Sequence, residues 1–241
     1  MSNIDTTDTS SFTSARGRHA VAGSWQAGPR RPTWPLVADD LFRLAHRDHD
    51  GRPLLDEHVT GLGLAAALLA ELVLARRLAL PGGQVIIVDA EPPIDALAHT
   101  VLDRLAAERA ALPVRTWLAY LARTAHHDVA DRLSRAGHLR KRTERRLLGR
   151  RVRYVPTDMN TAAWPWARLS GRLKKGQPLD GFDTVLGGLV LATDLYRTVL
   201  LGHAADIETG LRAAVTTAPA PVRELLAHTE AAVGDAIITR R

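Results

Sequence analysis

A mainly α-helical domain wrapped around one buried central helix is the fold class that the sequence predicts, with a basic β-hairpin protruding from it and a disordered tail ahead of it. Three observations lead there. The stretch Glu57 to Leu80 carries apolar side chains on every face of a helical wheel, as a helix buried all round does. Most other segments place apolar residues at three- and four-residue steps. One arginine-rich stretch, Arg145 to Val155, instead interleaves charged and apolar residues.

The central helix orders the rest. Leu62, Leu64, Ala65, Leu68, Leu69, Leu72 and Val73 fill all its faces, whereas Glu71 interrupts the run and Arg76 and Arg77 close it. A bilayer span needs about 20 largely apolar residues, so this is the core helix of a soluble domain. Asp56 stands where an N-cap belongs, and Pro81-Gly82-Gly83 is the expected stop.

Composition narrows the classes of function. The 241 residues are 46% hydrophobic, enough for one sizeable domain, residues 34–241, behind a tail, residues 1–33. The formal charge of +6, largely from arginine, favours anionic partners, either nucleic acid or acidic lipid. With no cysteine, disulfides, thiol catalysis and thiolate metal sites are excluded. Residues 1–33 have no apolar period or hydrophobic run, and Arg16, Arg18, Arg30 and Arg31 stand among Ser, Thr, Gly and Pro. This reads as a solvated tail without a secretory signal, which gives the expectation of a cytoplasmic protein.

Order begins at Pro35. Leu36, Val37, Leu41, Phe42, Leu44 and Ala45 follow a helical period, and Asp39 and Asp40 suit its first turn. The helix ends in His46-Arg47-Asp48-His49-Asp50-Gly51, whose ligand-type residues lack the i,i+4 histidine spacing of a helix-borne metal site. No metal and no cofactor are expected. Gln84 to Asp89 is short and β-branched between Gly-Gly and Pro-Pro, a strand signal. Pro93 opens a helix with Ile94, Leu97, Val101, Leu102 and Leu105 inward, and Pro113 opens another through Trp117, Leu118 and Leu121 towards His127.

Asp128 to Ala136 is amphipathic, with Val129 and Leu133 inward and Gly137 in the left-handed cap position. Arg145, Arg146, Leu147, Leu148, Arg150, Arg151 and Arg153 then make a hairpin or extended loop turning at Leu148-Gly149. Residues 158–182 read as a connection carrying Trp164-Pro165-Trp166, whose rings cover a core edge or sit at a membrane interface. Leu179 to Leu201 reads as a second buried helix despite Gly187-Gly188. Ile207 to Thr216 and Val222 to Ile238 complete the chain, the latter with Leu225, Leu226, Val233 and Ile237 inward.

Three stretches, LFRLAHRDHDGRPLL, GLAAALLAELVLARRLAL and VADRLSRAGHLRKRTERRLLGRRVRYVPTD, occur in this order and spacing. Together with the helical C-terminal half they resemble the Golgi phosphoprotein 3 family, in particular its actinobacterial members. The resemblance implies a helical fold with a protruding hairpin and, as in the eukaryotic members, a peripheral membrane protein that binds phosphatidylinositol 4-phosphate and acts as an adaptor. It also implies a headgroup pocket made by a tryptophan before the central helix, an arginine in its first turns, and two arginines three residues apart on the helix before the hairpin. The ungapped register puts Asp56, Ala65, Arg123 and His126 at these positions. Arg123 retains the family residue, and His126 can donate to phosphate when protonated. Asp56 and Ala65 do not retain theirs, and Asp56 repels a phosphomonoester.

The expected headgroup contacts are therefore Arg123, His126, Arg145 and Arg146. Arg150 and the apolar Leu147 and Leu148 are the expected membrane-contacting tip of the hairpin. Anionic phospholipid is the expected partner, at the inner membrane face, beside a protein partner and a homo-oligomer formed through the hairpin. Two other readings stay open. A winged-helix protein would set Asp128 to Ala136 and its hairpin wing on DNA, although Asp128 and Asp131 repel phosphate. An enzyme of the terpene-cyclase kind would gather Asp39, Asp40, Asp56, Glu57 and Glu71 around a diphosphate pocket, although no catalytic motif is present and no catalytic residue is expected.

Overall fold

The computed structural model describes residues 36–146, 149–199 and 204–239. The expected tail, residues 1–33, lies outside these, as do Leu147 and Leu148, and the side chains of residues 144–151 are likewise outside the description. Within the described residues the fold is mainly helical, with two small two-stranded sheets.

Helix α2, Glu57–Leu74, is the centre. The Asp56 carboxylate caps it by accepting from the backbone N–H groups of His58 and Val59, which satisfies two of the donors a helix start leaves open. Its residues from Val59 to Ala70 are all buried, and 78% of the helix lies inside the fold. Helices α1 (Val37–Leu44), α4 (Val114–Arg135), α6 (Gly181–Ala192) and α9 (Ala220–Ile238) pack around it. Gly61 lets α4 come close, since a Cβ there would stand 2.6 Å from the Ala122 carbonyl oxygen.

The end of α2 differs from the expectation. The helix stops at Leu74, and Arg76 adopts φ +58° while the Arg77 N–H donates to the Leu72 carbonyl at 2.8 Å. This is a Schellman cap with arginine in the place usually held by glycine. Leu78–Ala79 then forms β1, and the predicted strand Gln84 to Asp89 shrinks to β2, Ile86–Ile87, paired antiparallel with it. Helix α3, Ala96–Ala106, starts after the Asp95 cap, so Ile94 is not inward but 83% exposed.

The two segments expected on either side of His127 are one helix, the 22-residue α4. Gly137, φ +79°, ends it with the N–H of His138 donating to Leu133 and that of Gly137 to Ser134. Strands β3 (Leu139–Arg146) and β4 (Gly149–Pro156) make the hairpin. Its register pairs Arg146 with Gly149, one residue earlier than the predicted turn.

Residues 159–174 are not a connection but helix α5, Met159–Lys174, with Pro165 inside it. Asp158 caps the first turn, and Leu169 packs one face into the core, so the single N–H that proline lacks does not break the helix. Trp164 is 60% exposed, whereas Trp166 packs against the core. The segment expected to run unbroken to Leu201 divides at Thr193-Asp194 into α6 and α7, Leu195–Val199. Gly187 and Gly188 serve packing: a Cβ on them would meet Leu211 Cδ2 at 2.5 Å and Leu226 Cδ1 at 2.3 Å. Those leucines belong to α8, Ala204–Thr216, and to α9. Ile237, expected inward, is 39% exposed near the end of α9.

Two buried ionic clusters lock α1 in place. Asp39 turns to Arg132 of α4, which also reaches Glu71 and Asp95 at 2.8 to 3.2 Å. Asp40 turns to Arg168 of α5, which it shares with Asp183 of α6. Adjacent helical residues point about 100° apart, so the Asp39-Asp40 pair ties α1 to two different neighbours, α4 and α5.

Candidate functional site

A cleft of about 590 Å³ opens where the start of α2, the middle of α4 and strand β4 meet. Its lining includes Asp56, Glu57, Thr60, His126, His127, Arg153 and Tyr154, with His46 and Gly51 at its inner side. Gly51 is required there by both conformation and space. It adopts φ +66°, and a Cβ on it would stand 1.9 Å from the Tyr154 carbonyl oxygen, so only glycine lets the 47–53 turn lie against β4.

Behind the cleft sits a polar chain among aromatic rings. The imidazole of His46 stacks on Phe42 at a centroid distance of 4.1 Å and is 7% exposed. Its Nδ1 lies 2.7 Å from the Phe42 carbonyl oxygen, and its Nε2 lies 3.1 Å from Nε2 of His126. Burial lowers the His46 pKa to about 4. Burial also lowers that of His126; the Glu57 carboxylate opposes this and the neighbouring His127 adds to it. On the other side, His127 Nδ1 is 3.0 Å from the Tyr154 hydroxyl, and its Nε2 is 3.2 Å from Asp131. Asp131 in turn holds Lys141 of β3 at 2.8 Å and raises the lysine's pKa.

Of the residues expected to form the headgroup pocket, the structure brings Asp56 and His126 together in the cleft lining. Ala65 lies further along α2 and is fully buried. Arg123 is exposed on α4 outside the lining and makes no ion pair among the described residues. The backbones of Arg145, Arg146 and Arg150 lie in the hairpin, where Arg145 pairs with Arg150 in register. Sequence reasoning missed His46, His127 and Tyr154 as cleft residues and named Glu57 only for a diphosphate pocket. The only local hint was that His46 follows Phe42 by four residues, one turn along the same face.

The other readings meet a different geometry. The five acids expected around a diphosphate pocket are dispersed: Asp39 and Glu71 hold Arg132, Asp40 holds Arg168, and of the five only Asp56 and Glu57 line the cleft. Val129, Ala130, Arg132 and Leu133 bury one face of the C-terminal half of α4, and Asp128 and Asp131 stand half-buried beside it, where they repel phosphate. In the HRDHD turn, Asp48, His49, Asp50 and Arg52 pair with one another at the surface while His46 turns inward. Among the described residues no group of three His, Asp or Glu side chains is placed to hold a metal ion.

Compared with known proteins, the chain matches the family model described as Golgi phosphoprotein 3 (GPP34) over residues 37–229. The match runs from the start of α1 to within α9 and includes every wall of the cleft. No curated protein matches the chain.

Proposed function

Because the chain belongs to the Golgi phosphoprotein 3 family, we propose that it is a peripheral, non-catalytic binding protein that docks on anionic phospholipid headgroups. The observation that carries this is the hairpin register. It sets Arg142 directly opposite Arg153 and Arg145 directly opposite Arg150. The register thereby gathers arginines on one short hairpin, a basic strip that an anionic surface complements. Arg140 and Arg142 are exposed and make no ion pair among the described residues, so they are available to phosphate.

In this reading the hairpin lies on the inner face of a membrane. Arg145, Arg146 and Arg150 contact headgroups, and Leu147 and Leu148 are shallow apolar anchors. Arg123 adds a cation from α4, and His126 donates to a headgroup when protonated. Each arginine near an anionic surface contributes about 1 kcal/mol. A protein partner bridged to the membrane, and self-association through the hairpin, are the adaptor side of the same proposal.

Co-sedimentation with vesicles tests it. Neutral vesicles, vesicles with a generic anionic lipid and vesicles with phosphatidylinositol 4-phosphate are compared at low and high salt. Salt-sensitive binding to anionic vesicles is expected, roughly 30-fold weaker for Arg140→Glu/Arg142→Glu if two such contacts are lost. Arg123→Glu is expected to weaken it less. Absence of binding to every anionic vesicle overturns the proposal, and so does equal binding by the hairpin variant.

A further inference from the structure

We propose that the cleft between α2, α4 and β4 takes a primary ammonium group carried on a phosphodiester, the headgroup chemistry of an ethanolamine phospholipid. The inference rests on the membrane-docking reading only for how the ligand is delivered. Its own basis is the direction of the hydrogen bonds around the cleft.

A carbonyl oxygen can only accept. The Phe42 carbonyl beside His46 Nδ1 therefore puts the proton of neutral His46 on Nδ1 and leaves Nε2 a lone pair. His126 must then donate its own Nε2–H across the 3.1 Å contact, so neutral His126 keeps an acceptor at Nδ1. The same logic runs on the other wall. The Asp131 carboxylate accepts from His127 Nε2, and neutral His127 then accepts at Nδ1 from the Tyr154 hydroxyl, whose oxygen retains its lone pairs. Asp56 and Glu57 add carboxylates to the same lining, and Glu57 is exposed with no ion pair among the described residues.

The lining is thus rich in acceptors from three elements. An ammonium with three N–H donors complements it. A phosphomonoester, with close to two negative charges at neutral pH, meets two carboxylates there. A phosphodiester carries one charge, which its own ammonium offsets, and Arg153 also stands in the lining. A quaternary ammonium has no N–H to give, and Tyr154, only 7% exposed, offers it no aromatic cage.

The test uses the full chain and two kinds of probe. Soluble glycerophosphoethanolamine, glycerophosphocholine and free ethanolamine are titrated while imidazole resonances are followed by NMR. In parallel, vesicles of fixed anionic content are made with either ethanolamine or choline phospholipid as the remainder. Glycerophosphoethanolamine is expected to bind at least about tenfold more tightly than the choline analogue, the weight of charge-assisted hydrogen bonds. Glu57→Gln is expected to abolish that preference. Equal affinity for the two soluble headgroups, no binding of either, or an unaltered preference in Glu57→Gln overturns the inference. Free ethanolamine binding as tightly as the whole headgroup overturns its phosphodiester part. If soluble glycerophosphoethanolamine binds but no vesicle does, the docking proposal falls and this one stands.

Discussion

The Nε2 atoms of His46 and His126 face each other at 3.1 Å across a separation of 80 residues, and the contact requires at least one of the two rings to be neutral. His46 is the buried partner, with its pKa lowered to about 4. Unfolded, it takes up a proton below about 6.5. The folded state resists that proton, so the His46 contribution is intact above pH 6.5 and lost as pH falls to about 4, by on the order of 3 kcal/mol. Glu71, raised to about 7 by burial, slopes the other way between about 4.5 and 7, so total stability does not isolate His46. The stability gap between the native chain and His46→Gln does, and urea unfolding should find that gap shrinking from pH 7 to pH 4.5. A gap that stays constant contradicts the assignment.

Arg132 holds three carboxylates, Asp39, Glu71 and Asp95, with its own side chain 9% exposed. Substituting Arg132→Met leaves those acids without their cation. A loss of about 3–5 kcal/mol is expected, the cost of breaking a buried pair from one side. Adding Glu71→Gln should recover part of it, because Glu71 is the acid most deeply buried. The two changes are therefore non-additive in a double-mutant cycle, and additive losses would show that the cluster does not act as a unit.

These two clusters mark how far the chain was legible from its residues. The run Leu62 to Leu74 announces the central helix because burial on all sides leaves no polar face. The helix start was visible in Asp56, but its end was not, since Arg76 in a left-handed conformation carries no signal comparable to glycine. Pro165 concealed α5, because proline marks a break far more often than a continued helix. In the cleft, Asp56 and His126 could be named from the family register, whereas His46 and Tyr154 reach it through contacts 80 and 27 residues apart, for which no local period exists.

Gly51 offers a direct test of the cleft wall. Gly51→Ala forces a methyl group towards the Tyr154 carbonyl and holds a left-handed φ. Overpacking of this kind costs about 1–3 kcal/mol, and here the neighbour is backbone and cannot rotate away. Thermal unfolding should report the loss. In the folded variant, the His127 to Tyr154 contact should be altered in the NMR spectrum.

The paired tryptophans of α5 should behave differently from each other. Trp164→Ala removes an exposed ring and is expected to change stability by less than about 0.5 kcal/mol. Trp166→Ala removes one packed against the core and is expected to cost about 2 kcal/mol. Chemical denaturation of both variants decides it, and equal losses would contradict the split. If Trp164 also touches lipid, its substitution lowers vesicle binding without lowering stability.

The sign of the pH response separates the two ligand chemistries at the cleft. The groups facing His126 are His46 from the end of α1, Glu57 from α2 and His127 on its own helix, with Asp56, Arg153 and Tyr154 in the same lining. Burial lowers the pKa of His126 from its ordinary value, so at pH 7 it is neutral and presents an acceptor. Acidification converts that acceptor to a donor and adds a positive charge. An ammonium ligand should therefore bind steadily while His126 is neutral and weaken only once pH falls past its lowered pKa, beneath the ordinary histidine range. A phosphate held by His126 should do the reverse, since it needs the imidazolium and takes up a proton on binding. Titrating glycerophosphoethanolamine and an inositol phosphate at pH 7.5 and 5.5 reads both slopes. Replacing His126→Asn should flatten whichever slope belongs to it, and a slope that survives the substitution contradicts the assignment to His126.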